Sequence, residues 1–193
     1  MDLMANDVET INAELNRIAA DVRSSFGHMN SDQINWRPSP DGWSVGQCLD
    51  HLIKSNEGFY GEFDKIAAGT RKNSFWEKFS PLSSFAGSFL VKSLKADAKR
   101  VKTIPSMTPP SDIDAGIVEK FIRHQDELAA KINAIAGADW EKTIVTSPFF
   151  GLMTYKLEHG LQAVVEHEKR HVRQAKRVLE TDGFPRQLSE LGK

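Results

Sequence analysis

Apolar residues recur at steps of three and four along most of the chain, and that spacing predicts helices. Val8, Ile11, Leu15, Ile18, Val22 and Phe26 mark one face of a first helix over about residues 7 to 26, with Asn6 or Asp7 as its cap. A loop rich in Pro, Ser, Asp and Gly follows, NSDQINWRPSPDGW. The second helix opens on Ser44 and Gln47, an S-x-x-Q capping box in which each residue satisfies an orphan amide of the first turn. Trp43, just before the cap, is placed to staple against Cys48. Leu49, Leu52, Ile53, Phe59, Tyr60, Phe63 and Ile66 supply the buried face, and Gly69 is the expected stop.

Residues 70 to 111 carry a weaker pattern. FWEKF suggests a short helical turn, and SSFAGSFLVKSLKADAKRVK an amphipathic helix with Lys92, Lys95, Lys99, Arg100 and Lys102 outward, a solvated basic face. TIPSMTPPS then forces an extended connection. Ser111 with Asp114 resembles another cap, opening a third helix that runs to about Ile135 on Ile113, Ile117, Phe121, Leu128 and Ile132. TSPFFG breaks the chain. Thr154 is the expected start of a fourth helix whose apolar face is Leu157, Leu161, Val164, Val165, Val172, Ala175 and Leu179, ended by Gly183 and Pro185. At about 1.5 Å per residue it is roughly 40 Å long.

Four long amphipathic helices without a convincing strand series predict an all-α four-helix bundle. The long piece between the second and third helices predicts a crossover. The expected layout is one domain over residues 1–193, with a core at about 8–185, a crossover with short helices at 70–111 and a tail at 186–193. There is no internal repeat and no low-complexity tract.

Composition narrows the function classes. The chain has 193 residues, is 40% hydrophobic and 26% charged, and carries a formal net charge of -1. That balance gives no global pull towards nucleic acid or an anionic membrane. The single cysteine, Cys48, allows no intrachain disulfide and suits a reducing compartment. The first 22 residues lack the basic and apolar regions of a signal peptide, and no stretch approaches roughly 18 consecutive apolar residues. A soluble cytoplasmic protein is expected.

The chemistry concentrates in VVEHEKRHVRQ, Val164 to Gln174. His167 and His171 are four residues apart on a helix, so their rings point the same way and can share one metal ion. Glu168 falls near the middle of the apolar stripe, where an isolated carboxylate is costly, so it must be paired, metal-linked or at an end of the core. A metal site needs a third protein ligand. His28 lies in the first loop and reads as surface. His159 is two turns before His167, about 12 Å along the axis, too far to share an ion. His51 on the second helix and His124 on the third both flank apolar faces, and spacing alone leaves them as rivals.

The H-E-x-x-H string is also the signature of zinc proteases. One protease class continues H-x-x-G-x-x-H, but here Gln174 and Arg177 stand at those places. Another class uses a later glutamate. Glu180 is on the same helix and cannot fold back, and Glu190 lies in the tail. No sheet edge is evident to hold an extended peptide.

WRPSPDGWSVGQCLDHLIKSNEGFY, Trp36 to Tyr60, resembles a block of the DinB-like family, four-helix bundles also called damage-inducible or bacillithiol-transferase-like. The resemblance rests on Trp36, Pro38, Trp43, Ser44, Asp50, His51 and Leu52. It rests equally on a second block, H-E-x-R-H-x-x-Q, in His167, Glu168, Arg170, His171 and Gln174, approached by FFGLMTYKLEHGL. It covers roughly residues 8 to 185. It implies a metal site of His51, His167 and His171, holding nickel or zinc, and a homodimer. Residues 70 to 111 look longer than in compact members.

The activity so implied is transfer of a small thiol to an electrophile, or hydrolysis, acting on a small molecule. Glu168 is the candidate catalytic residue, orienting a ligand or accepting a proton, or else is structural. Asp50, Glu166 and Gln174 are candidates to support the ligands from behind, though their helical phases differ and not all can face the ion. The competing class is a catalytically silent bundle with a structural or adventitious metal. DNA repair is not supported, because no basic stripe dominates. Cys48 and His51 form C-x-x-H, a conceivable nucleophile pair, but a buried apolar role suits Cys48 better. Trp36 and Trp43 read as loop clamps and staples. Phe75, Trp76, Phe79, Phe85 and Phe89 read as packing of the crossover or as a cover for the pocket.

Overall fold

The four long helices expected from periodicity all form in the computed structural model, which describes residues 8–72, 77, 83–95 and 107–186. Among these residues the elements are α1 (Val8–Phe26), α2 (Ser31–Asn35), α3 (Val45–Ala67), α4 (Ser83–Lys95), α5 (Ile117–Ala134), β1 (Ile144–Thr146), β2 (Thr154–Lys156) and α6 (Leu157–Leu179). The fold is an all-α bundle of α1, α3, α5 and α6, with one short hairpin. Asn6, Asp7, Phe75, Trp76, Phe79, Lys99, Arg100, Lys102, Glu190 and the rest of 187–193 lie outside the described residues, so the readings made on them stay untouched.

The bundle closes as a ring in which α1 packs on α5, α5 on α3, α3 on α6, and α6 on α1. Directions follow from the residue pairs. Asn56 meets His124 and Asp64 meets Lys131, so α3 and α5 run parallel. Glu14 meets Lys169 and Asp21 meets Lys176, so α1 and α6 are parallel too. Arg23 with Glu119 and Asn12 with Asn133 make α1 and α5 antiparallel. A parallel neighbour cannot be reached by a short turn, because the chain must travel back the length of the helix. This is why α3 and α5 are joined by the long crossover that the sequence predicted.

The core is the set of residues the 3.6-residue period picks out. Leu15, Val22, Phe26, Leu49, Leu52, Phe121, Leu128, Ile132, Val165 and Ala175 are at most 1% exposed. Ser44 and Gln47 make the expected capping box at α3, each side chain bonding the other's backbone N–H at 3.1 Å. Gly69 follows α3 at φ 64°, a left-handed conformation suited to glycine.

Three local expectations are corrected. The loop after α1 contains α2, capped by Asn30 and Gln33 in a second capping box. The third long helix begins at Ile117, not at Ser111. Ile113 lies outside the helix, and the Asn35 side chain bonds both its N–H and its C=O at 2.8 Å. Asp114 spends its carboxylate on the Gly116 N–H.

The fourth long helix begins at Leu157, not at Thr154. Thr154–Lys156 instead pair antiparallel with Ile144–Thr146, in the register Val145 opposite Tyr155. The TSPFFG segment closes β1 with Thr146, and its remaining residues Ser147 to Gly151 sit in the bend between the strands. No side chain caps α6. Its first amides are satisfied by the preceding loop, Leu157 N–H donating to Thr143 O at 2.8 Å and Glu158 N–H to Trp140 O at 3.1 Å.

α4 lies along α6 and β2. Lys92 and Lys95 face outward as expected. Phe85 and Phe89 stack on its outer face and are 71% and 64% exposed. Among the described residues no helix is long and apolar enough to cross a membrane.

Candidate metal centre

The capping box at Ser44 sets where α3 starts, and Gln47 anchors that turn further by donating its Nε2 to Pro110 O at 2.9 Å. His51 is thereby turned towards α6, buried at 6% exposure. On α6, His167 and His171 stand one turn apart, half-buried, on the side facing α3. One nitrogen from each of the three rings lies within 4.8 Å of the others. The ring centroids are 5.1 Å (51–167), 4.7 Å (51–171) and 4.6 Å (167–171) apart.

The donor set fits a divalent ion. His51 Nε2 and His167 Nε2 are 3.3 Å apart. Two nitrogens bound at about 2.0–2.1 Å to one tetrahedral ion stand about 3.3 Å from each other. His51 Nδ1–H donates to Met107 O at 3.0 Å, which fixes the ring's tautomer and leaves Nε2 as the free donor atom.

All three rings are held neutral, as ligation requires. Burial lowers His167 to about 3, helped by the nearby His51 and Arg170. Burial also lowers His171 to about 2, with His167, His51 and Arg170 adding to it and Gln174 opposing. His51 is lowered by burial against the pull of Met107 O and Asp50. Imidazole nitrogens suit zinc, nickel, copper or iron. Trp43 walls one side of the group. Its ring stacks on His171 at 5.6 Å and tilts against His51 at 4.9 Å. The residue read as a loop staple is therefore part of the site's lining.

Glu168 is fully buried and turned into the bundle. Its Oε1 accepts from Asn56 Nδ2 and from Gln125 Nε2, both at 2.7 Å. Its Oε2 has no hydrogen-bond partner among the described residues. Burial raises its pKa to about 7, against the lowering effect of Gln125 and Asn56. Asn56 Nδ2 also donates to His124 Nε2 at 3.2 Å, so His124 Nδ1–H is the donor to Tyr60 Oη at 3.3 Å. His124, the rival third ligand, thus belongs to a buried polar cluster with Asn56, Tyr60, Gln125 and Glu168.

The remaining candidates separate clearly. Asp50 pairs with Lys54 at 2.7 Å beside His51. Gln174 flanks His171. Glu166 pairs with Lys169, which also holds Glu14 of α1, so it faces another helix. His159 packs against Gly87 and bonds Ser88 in α4. His28 is exposed. Cys48 is fully buried, and burial pushes its thiol up to about 12, which suits the apolar reading. Trp36 clamps Phe184 edge-on at 5.5 Å.

Sequence reasoning missed Ser55, whose Oγ lies 3.5 Å from His51 Nε2, and the Asn56 and Gln125 donors. The signal for the donors was present: a glutamate in an apolar stripe demands partners. The third imidazole comes from upstream, on α3, and the glutamate of H-E-x-x-H points to Asn56 and Gln125.

These features define a helical bundle with three converging histidines, and the sequence matches the DinB superfamily over residues 14–175. The chain belongs to that superfamily. It is similar to YuaE of Bacillus subtilis (strain 168), an uncharacterized protein, at 26% identity over 156 residues, 79% of this chain and 86% of the relative. No solved structure is significantly similar to it.

Proposed function

We propose that the protein is a metal-dependent enzyme that acts on a small molecule, either transferring a small thiol to an electrophile or hydrolysing its substrate. The observation that carries this reading is the convergence of His51, His167 and His171 from two helices. In it these three hold nickel or zinc. Such an ion supplies Lewis acidity that favours the deprotonated form of a thiol or water. The Met107 carbonyl keeps His51 in the ligating tautomer, and Trp43 keeps solvent from one side. In this reading Glu168, next in sequence to His167, holds or takes a proton from within the buried cluster it shares with Asn56 and Gln125. Asp50 and Gln174 support His51 and His171 from behind. The reading includes a cytoplasmic setting and a homodimeric assembly.

Metal analysis of protein purified without a His tag tests it. One equivalent of nickel or zinc per chain is expected. His51→Ala abolishes that stoichiometry and leaves the far-UV circular dichroism of the helices intact. Unchanged occupancy in that variant overturns the ligand set. A catalytically silent bundle is the competing reading, favoured by the 6% exposure of His51. It predicts metal without turnover, and no difference between wild type and Glu168→Gln in consumption of added thiol.

A further inference from the structure

Ser55 stands where a side chain can reach whatever non-protein ligand the site accepts. It lies one helical turn after His51 on α3, is 4% exposed, and places Oγ 3.5 Å from His51 Nε2. Serine within a helix commonly bonds back to the carbonyl four residues earlier. Here the hydroxyl addresses the imidazole of that residue, and specifically the nitrogen left free by the bond from Nδ1 to Met107 O.

Without an ion, Nε2 can accept from the Ser55 hydroxyl at 3.5 Å and from His167 Nε2–H at 3.3 Å. An ion on Nε2 takes that lone pair, and the hydroxyl, still buried beside it, must find another acceptor or pay the cost of an unmade bond. Trp43 narrows the choice. Its ring lies against both His51 and His171, at 4.9 and 5.6 Å between centroids, so indole takes up part of the space around the group.

Resting on the metal reading above, we infer that Ser55 donates a hydrogen bond to an anionic ligand, such as a thiolate, in the position left open by the three histidines. It is a contact to that ligand and not a fourth protein donor to the ion. The role separates two quantities that a merely structural residue would move together, affinity for the metal and affinity for the thiol.

Co2+ added to the metal-free protein is the probe, with 2-mercaptoethanol as the second ligand, followed by the sulfur-to-cobalt absorption in the near ultraviolet. Ser55→Ala is expected to keep Co2+ affinity within about two-fold and to weaken the thiol by about ten-fold, the scale of one hydrogen bond to a charged group. Ser55→Thr restores thiol binding, whereas Ser55→Val, near-isosteric with the threonine variant, does not, which removes packing as the cause. Equal thiol affinity in wild type, Ala and Val overturns the inference. So does a loss of Co2+ affinity of about a hundred-fold in a folded Ala variant, because Ser55 is then a ligand. A wild-type cobalt spectrum that never responds to thiol overturns it and leaves the metal site standing. A wild type that takes up no Co2+ fails the metal reading itself.

Discussion

His51 Nδ1–H reaches the carbonyl oxygen of Met107 at 3.0 Å, across 56 residues of chain. The bond ties the returning end of the crossover to the centre of the bundle. Two further links hold the same segment: Gln47 to Pro110 O, and Asn35 to both backbone groups of Ile113. The crossover thus does more than span the bundle between two parallel helices. It sets the tautomer of the one histidine that α6 does not supply.

Loosening that segment is expected to weaken metal binding without touching a ligand. Met107→Gly frees the backbone around the accepting carbonyl and should lower metal affinity about ten-fold, the low end for a group that orients a ligand. Competition against a chromophoric chelator measures it. An affinity unchanged in Met107→Gly means the carbonyl does not orient His51.

His124 should behave in the opposite way to His51. Its ring accepts from Asn56 and donates to Tyr60, and burial lowers its pKa to about 4. His124→Ala strands those buried partners and should cost about 1–3 kcal/mol of stability. One equivalent of metal should still bind. Urea unfolding and metal analysis on the same sample separate the two effects, and loss of the ion at native stability would place His124 among the ligands.

Stability of the metal-free protein should fall as pH drops below about 6.5. His124, His167 and His171 are held neutral in the fold, near 4, 3 and 2, so from 6.5 downward the unfolded chain binds more protons. Each contributes a slope of up to about 1.4 kcal/mol per pH unit. Glu168 has the other sign. Raised to about 7 from 4.5, it binds its proton in the fold first, and the stability this gives is lost as pH rises through that window. It offsets roughly one histidine, so the net trend is still a loss towards acid. Urea midpoints between pH 7.5 and 5 test this, and a flat or rising profile on acidification contradicts it.

Cys48 should be inert in the native protein. It is fully buried with its thiol pushed up to about 12, so almost no thiolate is present at neutral pH. A chromogenic disulfide reagent should react with one thiol per chain in denaturant and with none without it. Fast labelling of the folded protein would reopen the Cys48–His51 pairing as chemistry.

The features legible in the sequence are those governed by neighbours three and four residues away. The apolar stripe of α1 and the Ser44–Gln47 box are such features, as are the Gly69 stop and the shared face of His167 and His171. Each is a property of one helical turn. The misreadings are local patterns that distant partners overrode. Ser111 and Asp114 look like a cap, yet Asn35 claims both backbone groups of Ile113 and the helix starts only at Ile117. Thr154 looks like a helix start, yet β1 claims Thr154–Lys156. Three-residue strands are too short to show an alternation.

By itself, then, the sequence determined four amphipathic helices, the need for a crossover, and two histidines facing one way. Likeness to a family pointed to His51 over His124. Only the tertiary structure decided that α3 and α5 run parallel, that Met107 O holds His51, that Trp43 lines the site, and that Ser55 stands beside Nε2. It also decided that Glu168 looks inward to Asn56 and Gln125. The division has a physical cause. Helix periodicity and capping are written within one or two turns of chain, whereas these contacts mostly join residues tens of positions apart. Packing of whole helices chooses those partners.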